Sequence, residues 1–330
     1  MITVVSSSAP GRIGILGNPS DIYGGKVIAM TIQYRAEVSI KYSSQYSVKI
    51  RDGGKVDESL QRLIDASINR LLMEGWIEKW PSIEVFVRSN IPREAGMGGS
   101  AAIIVAFLDA CRKMFNLTYD RYRMAEITQK IEYKDLGIVA GYNDRYAITF
   151  GGLIFMDFTG KDIDREVWEG EPYAMIRRIP LKEEIPLICG YWGVRRSSGS
   201  IHAPVRERYL RGDPEVIKAV NRLIEITEEG ERAIIKSDWN SLGELMNENY
   251  EIARRAGWAY EIDDKLRRLG LESGAIAGKL GGAGNGGVMV FLCPEGRKRA
   301  VRALIKAGVK VFVPKTVSYT HLTLPTNREV

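Results

Sequence analysis

With 330 residues, 45% of them hydrophobic and 27% charged, the chain is long enough for one large or two ordinary domains with a sizeable core, and its balance excludes disorder and fibrous repeats. The formal net charge of +6 mildly favours anionic ligands, but acidic and basic residues alternate and no basic block points to nucleic acid. Three cysteines without C-x-x-C spacing suit a reducing cytoplasm with neither disulfide frame nor zinc site, and two histidines, His202 and His321, exclude a His-rich metal centre. No apolar run reaches the roughly 18 residues of a membrane span.

In chain order, strand-like runs at 2–5, 27–32 and 37–42 suggest an opening sheet, broken by a first glycine-rich segment, APGRIGILGNPSDIYGG at 9–25. Residues 57–74 repeat Leu60, Leu63, Ile64, Ile68, Leu71 and Leu72 at helical spacing. An alternating strand at 83–88 feeds a second glycine segment, PREAGMGGSAA at 92–102, and an apolar helix at 100–115. A strand, glycine loop and helix in that order form an anion site, because first-turn N–H groups and the helix dipole face the ligand. A helix is expected at 119–136, then a loop with Asn143 and Asp144. Strands at 153–158 and 186–191 flank a charged excursion at 159–172. Residues 203–268 read as helices broken near 212–214 and Gly230. Strands at 275–279, 288–293 and 309–313, with a helix at 295–307, surround a third glycine segment, KLGGAGNGGV at 279–288.

Three glycine segments beside β-like runs suggest the walls of one phosphate-handling site, since glycine backbones approach ligands closely and successive N–H groups make anion nests. The second segment resembles the P-x-x-x-G-L-G-S-S-A-A motif of the GHMP kinase superfamily through Pro92, Gly96, Met97, Gly98, Gly99, Ser100, Ala101 and Ala102. Gly99 stands where that family has Ser. The resemblance implies an α+β, two-domain GHMP kinase fold: a mixed β/α ATP-binding domain over 1–175 and a ferredoxin-like domain over 176–316. It also implies that this loop wraps the ATP phosphates and that Ser100 and Glu132 hold Mg²⁺. Taken alone, Glu132 would read as a solvated helix carboxylate. Asp144, in the A-G-x-x-D-R/Q pattern, would accept or orient the substrate hydroxyl proton, and Arg12, directly after A-P-G, would depress its pKa.

Gly17-Asn18-Pro19-Ser20-Asp21 with Tyr23, the GIVAG run before Asn143, and Ser198-Gly199-Ser200-Ile201-His202 leading to Val205-Arg206-Glu207-Arg208 resemble the glucuronokinase branch. What this implies is ATP-dependent phosphorylation of D-glucuronate at its anomeric hydroxyl by a monomer or homodimer. A heptose-phosphate kinase, a neutral-sugar kinase and a non-catalytic relative are the alternatives. Asp21, Tyr23 and His202 would face the sugar, and Arg206, among Arg195, Arg196, Arg208, Lys26 and Arg35, would clamp its carboxylate. The third loop, with Gly284 toward the substrate, would support the phosphate loop. The run VSYTHLTLPT at 317–326 resembles a translated sequencing-library adapter, so residues 317–330 are expected to be non-native.

Overall fold

The computed structural model describes residues 4–93, 95–164, 173–193 and 199–317, with the backbone alone for 199–201. The larger sheet is built on two long antiparallel strands, β1 (Val4–Leu16) and β2 (Lys26–Tyr42). The expected break at the first glycine segment does not occur. The chain stays extended to Leu16 and absorbs the irregularity in two register shifts, between Pro10 and Arg12 and between Gly14 and Leu16. Such bulges re-aim side chains, and Arg12 follows the first of them. A 3-10 turn, Ser20–Tyr23, links the two strands.

β3 (Ser47–Ile50) is a short strand that the sequence pattern misses. Helix α1 (Glu58–Met73) begins at Asp57, whose side chain accepts from Leu60 N at 2.8 Å, and buries Leu60, Ile64, Ile68 and Leu71. β4 (Ile83–Ser89) pairs with β2 and, in parallel, with β3. Helix α2 (Gly99–Met114) is buried along most of its length against β1 and β2. Each fully buried Ile or Phe on it contributes about 1.5–3 kcal/mol.

The helix expected at 119–136 is α3 (Arg121–Lys130) running into a π-helical turn, Ile131–Asp135. The expected loop around Asp144 is instead the start of α4 (Asn143–Phe150). β5 (Leu153–Asp157) shares β2's outer edge with β4, and β6 (Met175–Arg178), another unforeseen short strand, pairs with β5. Pairing on both edges explains why β2 is one strand of 17 residues where two runs were expected.

The smaller sheet starts with β7 (Leu187–Tyr191), followed by α5 (Gly199–Leu210), α6 (Pro214–Lys236), α7 (Trp239–Ala256) and α8 (Glu261–Glu272). α6 runs through Gly230 without the expected break. β8 (Ala277–Leu280), β9 (Met289–Leu292), α9 (Arg297–Lys306) and β10 (Lys310–Phe312) complete it. Its antiparallel order β10-β7-β9-β8 is the ferredoxin-like arrangement. One core joins both sheets, from Ala9, Ile13 and Phe107 to Cys189, Val290 and Leu292.

Val317, assigned above to the non-native tail, is tied to the larger sheet: its carbonyl accepts from Gly152 N at 2.9 Å and Thr31 Oγ1 at 2.8 Å. The rest of that tail, with His321, and residues 194–198, with Arg195, Arg196 and Ser198, lie outside the described residues. Cys111, Cys189 and Cys293 are free and buried. Among the described residues no helix is long and apolar enough to cross a membrane.

Candidate active site

The three glycine segments meet at one side chain. Arg12, 4% exposed, donates from Nε and Nη2 to Asp144 Oδ1 and Oδ2 at 2.7 and 2.6 Å, a bidentate pair. Its Nη1 donates to Gly96 O of the second segment at 2.5 Å and to Gly281 O of the third at 3.1 Å. Backbone bonds repeat the pattern: Arg12 N to Met97 O at 3.0 Å and Gly14 N to Gly281 O at 2.7 Å. Burial alone would raise Asp144, but the charges of Arg12 and Arg145 and the hydrogen bonds from Arg12 hold it below the usual carboxylate range. Asn143 Nδ2 adds a third donor, to Oδ1 at 3.0 Å.

The second segment opens α2 with Gly98 in the left-handed region at φ 74. A Cβ there would sit 2.8 Å from Ile148 Cδ1 and 3.8 Å from Asp144 Oδ2, so the residue that caps the helix must also be the smallest. Ala102 is the first residue of the helix to return its N–H to a backbone carbonyl, that of Gly98 at 2.9 Å. Among the described residues the N–H groups of Gly99, Ser100 and Ala101 reach no backbone carbonyl, as expected of an anion-binding helix end. Pro92 lies half-buried where the chain enters the loop, and Met97 is 1% exposed.

Ser100 Oγ donates to Glu132 Oε1 at 2.5 Å. Glu132, on the π-helical turn, is 1% exposed and not a solvated helix carboxylate; its other oxygen pairs with Arg145 of α4. Two converging hard oxygens suit Mg²⁺, which takes one or two carboxylates and completes its shell with phosphate and water. A three-residue His, Cys, Asp or Glu cluster is absent among the described residues, so the protein by itself forms no closed metal cage.

Near Asp144, Asp21 is 2% exposed in the 3-10 turn, and its Oδ2 accepts from Asn143 N at 2.9 Å. Burial raises its pKa. Tyr23 packs on Tyr209 with ring centroids 4.4 Å apart; burial pushes its hydroxyl up while the charge of Arg206 works against it. His202 on α5 is buried, and desolvation drives it down to about 4, so the imidazole is neutral at pH 7 despite the pull of Asp144. Arg206, one turn further on α5, pairs with Asp164. Lys26 pairs with Glu228 and Asp157, Arg35 with Ser8, and Arg208 with Asp213.

The third segment is internally occupied. Asp263, at the start of α8, accepts from Asn285 N at 2.8 Å, Gly286 N at 2.9 Å and Tyr260 N at 2.9 Å. Gly284 is buried, and a Cβ on it would meet Leu280 Cδ1 and Trp258 O, both at 2.9 Å, and Asp263 Oδ2 at 3.2 Å. At Gly282 a Cβ would lie 2.2 Å from Gly96 O, so the second and third segments touch backbone to backbone. Lys279 is buried at the root of the third segment, donating to Asn18 Oδ1 at 2.7 Å, and burial lowers it to about 7.

Sequence reasoning missed Arg145, Asn143, Lys279 and Asp263 as parts of the site. Arg145 and Asn143 flank Asp144 and Lys279 opens the third segment, so position was a signal for these three. Asp263 lies 22 residues from Asn285 and carried none.

The chain matches the GHMP kinases N terminal domain over residues 62–152 and the GHMP kinases C terminal domain over 231–310. It is 31% identical to Glucuronokinase 1 of Arabidopsis thaliana, over 86% of this chain and 84% of the relative. It is 25% identical to the D-glycero-alpha-D-manno-heptose 7-phosphate kinase of Campylobacter jejuni, over 92% of this chain and 93% of that one. The crystal structure of Lactococcus lactis galactokinase complexed with galactose shares the fold at a TM-score of 0.77 and 19% identity, covering 95% of this chain and 93% of the other. This chain belongs to the GHMP kinase family and is a phosphotransferase with an alcohol group as acceptor.

Proposed function

We propose that the chain transfers the γ-phosphoryl group of ATP to the anomeric hydroxyl of D-glucuronate, giving D-glucuronate 1-phosphate. The observation that carries the sugar reading is a group of buried polar atoms around Asp144 without protein partners among the described residues: Asp21 Oδ1, Asn143 Oδ1, Arg145 Nε and His202 Nδ1. Buried polar atoms are normally paired, and four in one place call for a polar ligand. Two of these are acceptors, one is a donor, and a neutral imidazole is either. Sugar hydroxyls, which both donate and accept, match that set. The likeness to the Arabidopsis protein supports glucuronate in particular, with Arg206 as the partner of its carboxylate.

In this reading the free N–H groups at the start of α2 and the charge of Arg12 receive the phosphates. Ser100 and Glu132 would hold Mg²⁺, which when bound neutralises charge on the transferring group. Arg145 keeps one Glu132 oxygen engaged and so turns the other toward Ser100. Asp144 Oδ2 takes one protein donor where Oδ1 takes two, so Oδ2 has the lone pair that accepts the attacking hydroxyl. Because Arg12 holds Asp144 ionised and weakly basic, Asp144 first orients that hydroxyl and takes its proton late, as the new P–O bond forms and the bond from the γ-phosphorus to the ADP oxygen breaks. Asp21, Asn143 and His202 fix the ring.

An ADP-release assay over D-glucuronate, neutral sugars, heptose 7-phosphate and mevalonate tests this. Turnover of glucuronate with a 1-phosphate product is expected. Turnover of another acceptor with none of glucuronate rejects it. Heptose phosphate is the second reading, favoured by the Campylobacter relative.

A further inference from the structure

Arg206 is buried on the sugar side of the site, yet it already has a carboxylate partner. That partner, Asp164, is not part of the buried wall: its side chain is 51% exposed, against 10% for Arg206. The other Asp164 oxygen accepts from the hydroxyl of Tyr133, next to Glu132 on the π-helical turn. A half-exposed carboxylate is thus laid on a buried guanidinium whose charge also acts on Tyr23.

We propose that Asp164 is an internal stand-in for the substrate's carboxylate, holding Arg206 until the acid's own carboxylate replaces it. The inference rests on the sugar-acid reading above. A buried arginine without a counter-charge is costly, so the free enzyme benefits from an internal anion. Exchanging one carboxylate for another leaves the charge balance of Arg206 unchanged and returns Asp164 to water. A neutral sugar offers no such exchange. The pair therefore weighs against neutral acceptors while taxing the affinity for acids by the fraction of Arg206 that is occupied.

The test measures KM for D-glucuronate and for ATP in the wild type, Asp164→Asn, Tyr133→Phe, Arg206→Met and the Asp164→Asn/Arg206→Met double variant. Asp164→Asn is expected to lower the glucuronate KM about two- to fivefold, the range of a half-exposed ion pair. Tyr133→Phe lowers it by less, and the KM for ATP holds. Arg206→Met raises the glucuronate KM, and Asp164→Asn then has no further effect. A residue that merely props up Arg206 would move the KM the other way, so a KM unchanged or raised in Asp164→Asn overturns the proposal. If the wild type phosphorylates a different acid and not glucuronate, the glucuronate reading alone fails and the exchange is read on that acid's KM in the same variants. Turnover of neutral acceptors only overturns both.

Discussion

The second and third glycine segments touch each other, Gly96 against Gly282, and both are glycine-rich, yet they end in opposite states. At the second, the N–H groups of Gly99, Ser100 and Ala101 point out of a helix end with no backbone acceptor among the described residues. At the third, the N–H groups of Asn285 and Gly286 are filled by the chain's own Asp263. A glycine-rich run therefore states only that backbone N–H groups can be gathered. Whether they serve a ligand or the fold depends on whether the protein supplies its own anion.

Variants should separate the two loops. The largest effect is expected at the Arg12–Asp144 pair beside the open loop: Asp144→Asn lowers kcat about 10²–10⁴-fold while nucleotide binding, followed with a fluorescent ATP analogue, persists. Full activity in this variant would remove Asp144 from the chemistry. Gly282→Ala places a Cβ 2.2 Å from Gly96 O and drives the loops apart. It should cost about 1–3 kcal/mol in urea unfolding and also impair turnover, because it distorts both loops at once. Asp263→Asn leaves buried N–H groups short of an acceptor and should cost about 1–3 kcal/mol of stability with little change in the KM for ATP. A large rise in that KM would show the third loop to be a ligand site after all.

Lys279 joins the first segment to the third, and its sign is fixed by its lowered pKa. Between about 7 and the ordinary value of 10.5 the unfolded chain binds more protons than the folded one, so stability rises with pH across that window. Lys279→Met should flatten the slope, which for one proton is at most about 1.4 kcal/mol per pH unit. The smallest effect belongs to Gly99→Ser. Among the described residues a Cβ at Gly99 has Ile91 Cγ2 alone nearby, at 3.6 Å, so restoring the family's hydroxyl should leave turnover within about threefold and slightly favour the helix.

Arg12, Asp144 and the glycine-rich entry of α2 were legible because each sits inside a dense local motif, whereas Glu132, which alone reads as a solvated helix carboxylate, was set beside Ser100 by the family resemblance. The two sheets followed from apolar or alternating runs, apart from β3 and β6, whose four residues are exposed or only half-buried and carry no apolar run, unlike the fully buried four-residue β8 and β9. The unbroken course of β1 was hidden because only its pairing with β2 keeps a glycine-rich segment extended. Helix α4 was read as a loop because its first turn is made of polar Asn143, Asp144 and Arg145, which face the site rather than solvent. The partners Asp263 and Asp164 were out of reach, since long-range pairing with the third segment or with Arg206 leaves no local pattern.

Hydrogen exchange of individual amides, with and without a non-hydrolysable ATP analogue, tests the contrast between the loops most directly. The nucleotide should protect Gly99, Ser100 and Ala101 strongly, while Asn285 and Gly286 are already slow without it and change little. New protection at Asn285 and Gly286, with none at the start of α2, would contradict the account.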